Sequence, residues 1–262
     1  MSIVRIGIQT RSLRQPLRRA LDTAAELGAD GVEIDLRTEL PVTDLSQTAL
    51  RQFRKLLDDH GLQVSAVSYP TRRGYDDSND LERRLQGTRR AMKAAADLGA
   101  KVVVNRIAHD LPDPADERRE VLLHALTSLG MEGNRVGANI SILTSALPAE
   151  DVAELLGEIP DRTVGVSFHP AGLLAAGESP VDALGHLGRY VTHVHACDAV
   201  SELGTGGTVE VELGRGSADL PAILAELEAH DYRGWTTIER NSSAEPITDI
   251  GNAVTYLRKL GE

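Results

Sequence analysis

The feature that most restricts this chain is a repeated unit, an amphipathic helix that ends near a glycine and is followed within a few residues by a short apolar strand. Three copies stand out: RALDTAAELGADGVEIDL, RRAMKAAADLGAKVVVNRI and AILAELEAHDYRGWTTIER. Each carries a glycine where a helix C-terminus or a tight helix-to-strand loop needs one. Weaker copies recur. Strands are expected at Val4–Gln9, Gly31–Leu36, Gln63–Tyr69, Lys101–Ile107, Asn139–Ser145, Val164–His169, Val191–His195 and Trp235–Glu239. Helical patterns fill the gaps, among them Leu45–His60, Leu81–Leu98, Asp116–Leu129, Ala149–Ile159 and Ile247–Leu260, several opening on Asp, Ser or a Pro-flanked cap.

Strict alternation of strand and helix makes the sheet parallel, because each helix returns the chain to the end where the next strand starts. Eight such strands closing on themselves make an α/β fold, a single (β/α)8 TIM barrel spanning 1–262. A doubly wound open sheet would place a glycine-rich turn after the first strand, but Gln9-Thr10-Arg11-Ser12 stands there. GTGG at 204–207 follows the seventh strand and lacks that context. No composition break or Ser/Gly/Pro linker divides the chain. Its most irregular connection is Ala199–Ser217, whose alternating TVEVEL between glycines reads as a small hairpin or lid.

With 41% hydrophobic and 26% charged residues the chain can bury a sizeable core, which excludes disorder, collagen and coiled coil. Its net charge of −11 repels phosphate backbones and anionic membranes, so neither nucleic acid nor membrane is an expected partner. Cys197 is the single cysteine, which excludes an internal disulfide and any Cys-rich zinc module. No apolar run approaches the roughly 18 residues of a membrane span. These readings suit a cytoplasmic protein, and a homo-oligomer is left open.

Barrels of this kind carry their chemistry at the C-terminal ends of the strands. Polar groups gather there: Gln9 and Arg11; Glu33, Asp35 and Arg37; Ser68 and Tyr69; Asn105 and Arg106; Thr144 and Ser145; His169; His193, His195 and Asp198; Glu239 and Arg240. His169, His195 and Glu239, from three consecutive strands, would form a facial ligand set for a divalent metal, with other positions open to substrate. The plainer alternative is that the histidines are hydrogen-bonded core residues and Glu239 pairs with an arginine. Arginines at loop positions point to an anionic small molecule such as a sugar phosphate or sugar acid. Gln9, Asn105, Arg106, Thr144 and Arg215 are the candidate substrate contacts, Arg106 foremost. Asp198 would orient a histidine or cap its loop. Cys197 has no cation beside it in sequence and is given no catalytic role.

These residues resemble the xylose isomerase-like barrels, a family that includes sugar phosphate isomerases and epimerases, ketose 3-epimerases, inosose dehydratases and endonuclease IV. The likeness spans nearly the whole chain. It rests on AAELGADGVEI, LGAKVVV, VGVSFHPAG, HVHACD, which is similar to the family's H-x-K-D element, and GRGSADLPAILAELEAHDYRGWTTIE. The resemblance implies a divalent metal (Zn, Mn, Co, Mg or Fe) held by a Glu ending strand five, an Asp ending strand six, a His on strand seven and a Glu on strand eight. His195 and Glu239 match the last two. His169 stands at the Asp position and Thr144 at the Glu position.

Family epimerases exchange protons with two glutamates on opposite faces of a carbon beside a carbonyl. Thr144 is far too weak a base for that role. The expected chemistry is therefore a one-base route, in which Glu239, His169 or Glu33 abstracts the α-proton and a metal stabilises the enediolate. Sugar or sugar-phosphate isomerisation or epimerisation is the leading reading. A keto-sugar or inosose dehydratase or lyase is the second, and a non-catalytic sugar-binding barrel the third. Endonuclease activity is disfavoured by the thin ligand set and the net charge of −11.

Overall fold

The computed structural model describes residues 4–144, 147–201 and 207–261, so Ser145 and most of the GTGG run lie outside the described residues. Within them, β1 (Arg5–Gln9), β2 (Gly31–Asp35), β3 (Gln63–Ser68), β4 (Val102–Asn105), β5 (Asn139–Leu143), β6 (Gly165–Phe168), β7 (Val191–Ala196) and β10 (Trp235–Ile238) form a closed parallel barrel. Closure is made by β1, which pairs with both β2 and β10. A separate antiparallel hairpin, β8 (Asp198–Ser201) with β9 (Thr208–Val211), rises from the end of β7 where the alternating TVEVEL run suggested one.

The helices that return the chain are α1 (Leu17–Glu26), α2 (Gln47–Asp59), α3 (Leu81–Asp97), α4 (Glu117–Val136), α5 (Ala149–Gly157), α6 (Pro170–Ala175), α7 (Pro180–Leu187), α8 (Leu220–Ala229) and α9 (Pro246–Leu260). On α3 the buried Leu85, Thr88, Ala91, Met92 and Ala95 recur at helical spacing and face the barrel. After α1 and α3 the chain turns at Gly28 and Gly99, whose φ values of 82° and 84° only glycine adopts freely. The third repeat differs: Asp231 (φ 58°) makes that turn, and its glycine, Gly234, immediately precedes β10.

Barrel strands are covered on both faces, which is why they read as runs such as VVV instead of alternating. Their two faces still separate. Val103 joins the large core beneath the helices, whereas Val102 and Val104 cluster with Ala66 and Leu143. Observed strands stop short of the expected ones, β4 at Asn105, β6 at Phe168 and β10 at Ile238. The residues just beyond, Arg106, His169 and Glu239, thus leave the ladder at the mouth of the barrel. α4 runs on to Val136, well past the expected Leu129, because Gly130 and Gly133 approach Thr163 and Asn139 too closely for a Cβ and continue the helix at that contact.

Candidate active site

Five titratable side chains form a continuous chain across the barrel mouth. Glu33 on β2 sends Oε2 to His195 Nε2 at 2.8 Å and to His193 Nε2 at 3.3 Å, and its Oε1 accepts from Gln9 Nε2 at 3.3 Å. On the other side of the His195 ring, Nδ1 lies 3.0 Å from Glu239 Oε2, and the same oxygen is 3.5 Å from His169 Nε2. His169 and His195 meet edge to face, as do His193 and His195. β7 carries two of the three imidazoles because His193 and His195 are two residues apart on one strand face.

Burial alone would favour the uncharged form of every member of this chain, and the partners decide otherwise. Burial would raise Glu33, yet the His195 charge and hydrogen bond, with the His193 ring beside it, hold it far below the usual carboxylate range. Burial would lower His195, but Glu33 and Glu239 raise it to about 10. Glu239 is likewise held well below 4.5 by His169 and His195 against burial. His193, deeper and less well paired, is pushed down by burial and is neutral at pH 7.

His169 is the N-cap of α6, and its Nδ1 accepts the Gly172 N–H at 2.9 Å. In the neutral ring that bond takes the lone pair of Nδ1 and leaves the proton on Nε2; in the charged ring the same N–H turns to the His169 carbonyl, 3.0 Å away. Burial opposes a charge on this ring, while Cys197 and Glu239 press it well above 6.5. Either way Nε2 presents a proton toward Glu239. Cys197 Sγ lies 3.7 Å from the His169 ring nitrogens, a contact that sequence position alone did not reveal.

The fit of a divalent cation can be tested on the atoms themselves. His195 Nδ1 is buried with no hydrogen-bond partner, since its approach to Glu239 lacks hydrogen-bond alignment. Its Nε2 is held by the Glu33 carboxylate, the arrangement that fixes a metal-ligating imidazole. His195 Nδ1 and Glu239 Oε2 therefore fit a cation. His169, whose nitrogen lies within 4.8 Å of both, completes the expected group of three, and with Nδ1 taken by the Gly172 N–H it would give up its Nε2 proton to act as the third ligand.

Two cavities open at the mouth. One, about 340 Å³, is lined by His169, Cys197, Thr208 and Glu210. The other, about 390 Å³, is lined by Gln9, Glu33, Asn105 and His195. Arg106, Leu143, Glu239 and Asn241 line both. The structure places the other expected site residues differently from one another. Arg215 lines neither cavity and pairs with Glu212 at 3.0 Å, exposed on the far limb of the hairpin. Thr144 is fully buried: its Oγ1 accepts the His169 N–H at 3.0 Å, so it positions the neighbouring strand end and faces no substrate. Glu33 has both carboxylate oxygens occupied, which suits a support for His195 better than a base. Asn105 borders a cavity but is spent on Tyr75 Oη and the Thr71 N–H, at 2.8 and 3.3 Å.

Two residues the sequence reading passed over complete the site. Asn241 Nδ2 donates to Glu239 Oε1 at 2.5 Å, and Glu210 on β9 accepts the Asn241 and Ser242 N–H groups. The only signal was an acidic position in TVEVEL and an Asn two residues past Glu239. The hairpin that brings Glu210 across is latched by buried Asp198. Its Oδ1 accepts the N–H groups of Ala199 and Ala218, and its Oδ2 those of Gly214 and Gly216, all within 3.0 Å. Gly216 passes so close to this carboxylate that a Cβ would collide with it. We expect Asp198→Asn to turn an amide toward two of these donors and to cost about 2–3 kcal/mol. Faster hydrogen exchange at Gly214 and Gly216 would report it; unchanged protection would refute the latch.

A family model described as xylose isomerase-like TIM barrel matches residues 21–260. The chain belongs to that family. In the xylose isomerase-like family, this chain is 23% identical over 243 residues to an inosose dehydratase of Clostridium botulinum (strain Eklund 17B / Type B), covering 80% of this chain and 78% of the relative. Among solved structures, it superposes on a xylose isomerase domain protein from Planctomyces limnophilus with a TM-score of 0.85 at 23% identity, covering 98% and 97% of the two chains. A D-allulose 3-epimerase from Methylomonas sp., in complex with D-allulose, gives 0.77 at 17% identity over 99% and 98%. The proteins it resembles thus include both an epimerase and a dehydratase. Against the family's ligand pattern the departures lie at Thr144 and His169, and both are absorbed by backbone hydrogen bonds at adjacent strand ends.

Proposed function

We propose that this barrel enolises a small polyhydroxylated aldehyde or ketone, a sugar or sugar derivative, with Glu239 as the base. One observation carries the reading: among the described residues, Glu239 is the carboxylate common to both mouth cavities, with Oε2 beside two imidazoles and Oε1 held by Asn241. A group held so far below 4.5 is a weak base, so the substrate's carbonyl must be polarised as the proton leaves. A divalent cation on His195 and Glu239 would supply that polarisation as a Lewis acid. The Nε2 proton of His169 supports it from the protein. Glu33 fixes the His195 ring, and Asn241 fixes the rotation of the Glu239 carboxylate. Thr144 is buried and supplies no base from the end of β5. Delivery of the proton to the adjacent carbon by the same Glu239 makes the enzyme an isomerase.

A second reading is favoured by His169 itself. An N–H beside the base on one side of the cavity is what a departing hydroxyl needs, so loss of water from the enediolate makes the enzyme a dehydratase. The dehydratase among its relatives agrees with this. Both readings are tested by incubating the protein, with and without divalent metals, in D2O with a panel of ketoses, sugar phosphates, sugar acids and keto-inositols. Deuterium uptake without loss of mass supports isomerisation, and loss of water supports dehydration. No exchange and no mass change across the panel would overturn enolisation.

A further inference from the structure

We infer that the ligand of this mouth carries an oxyanion, a carboxylate or a phosphate, and that Arg106 binds it; the inference deepens the proposed function by naming a class of substrate. The residues around the mouth hold several guanidinium groups, and nearly all are engaged. Arg11 pairs with Asp35 at 2.9 Å, Arg240 with Asp249 at 3.0 Å and Arg73 with Asp77 at 3.2 Å, while Arg37 donates to the Pro70 carbonyl at 2.9 Å. Arg106 is exposed and, among the described residues, has no hydrogen bond, ion pair or ring contact. Arg72 is also without one but lines neither cavity.

Position separates the two. Arg106 stands at the end of β4, where the neighbouring Asn105 is anchored from both sides, and its side chain borders both cavities alongside Glu239. A ligand lying across their junction would have its reacting carbon at Glu239 and its distal end at Arg106. In a chain of net charge −11, acidic neighbours are plentiful, yet among the described residues none reaches this guanidinium. Its planar fork matches a carboxylate or phosphate through two parallel N–H donors, a contact that a neutral sugar hydroxyl cannot reproduce. A neutral polyol would leave that fork to water.

Binding can be read without turnover. In protein labelled with 15N at arginine, the Arg106 Nε–Hε signal is followed while inorganic phosphate or malonate is added at constant ionic strength, with chloride and glycerol as controls. We expect a saturable shift with at least one of the two anions. Arg106→Gln should weaken binding of that anion, read by calorimetry, by roughly ten- to a hundredfold, with Arg106→Lys intermediate and the melting temperature unchanged. Tighter binding of phosphate assigns a sugar phosphate, and tighter binding of malonate a sugar acid. No saturable shift with either anion, or equal binding by Arg106→Gln, overturns the inference. Solvent exchange into neutral sugars alone would then leave enolisation standing. Anion binding without exchange into any of the panel would remove enolisation and leave Arg106 as an anion site.

Discussion

Glu239→Gln is expected to lower kcat/KM about a thousandfold, the size of a lost general base, while the far-UV circular dichroism stays that of the barrel. The amide keeps the shape of the carboxylate and can still meet Asn241, but it accepts no proton and gives up the charge that faces His195 and His169. Deuterium exchange into the substrate should fall by the same factor as turnover, because both need the α-proton to leave. If exchange persisted at the wild-type rate while turnover fell, Glu239 would act after enolisation and a different group would be the base. The loss should fall mainly on kcat, since Glu239 is asked to act at the reacting carbon and Arg106 to hold the distal end.

Glu33→Gln should cost stability as well as activity. Glu33 is 1% exposed and faces two buried imidazoles, so the substitution breaks a buried ion pair from one side, a change worth about 3–5 kcal/mol. For a chain of this size that is a fall in melting temperature of very roughly 6–20 °C. In chelator-treated protein the pair also sets a pH window. Glu33 is lowered in the folded state, so its contribution is present above its ordinary value of 4.5 and lost as pH falls toward the lowered value. His195 is raised, so the same contribution is complete below 6.5 and lost as pH rises through about 10. Since both limbs describe one interaction, wild type should be most stable between about 4.5 and 6.5 and the variant should show a flatter profile. A variant within about 1 kcal/mol of wild type across that range would show that the charge on Glu33 does not hold His195 in place.

The barrel was legible because its cause is local and repeated. Helical spacing on one face, a turn residue after the helix and a short apolar run specify each unit, and the units leave few ways to assemble. Strand ends were legible to within a residue or two, which sufficed to place His169, His195 and Glu239 at the mouth. What they do to one another was not. The Gly172 N–H on His169 Nδ1 arises only because His169 is the single residue between β6 and α6. Arg106 and Arg215 look alike along the chain, one beside Asn105 and the other between glycines. Only the fold leaves the first, among the described residues, without a partner above the cavities and pairs the second with Glu212 away from them.

Asn241 and Glu210 went unread for the same reason. Their roles depend on a hairpin folded back over β10 and latched by Asp198, so residues 31 positions apart meet through backbone donors that carry no side-chain signature. The sequence by itself determined the closed parallel barrel and which residues end its strands, because hydrophobic periodicity and turn chemistry act over a few neighbouring residues. The tertiary structure alone decided which of those ends hold a proton, a lone pair or an unpaired charge. Those properties are set by contacts between groups far apart in the chain, within distances of about 3 Å that no local pattern encodes.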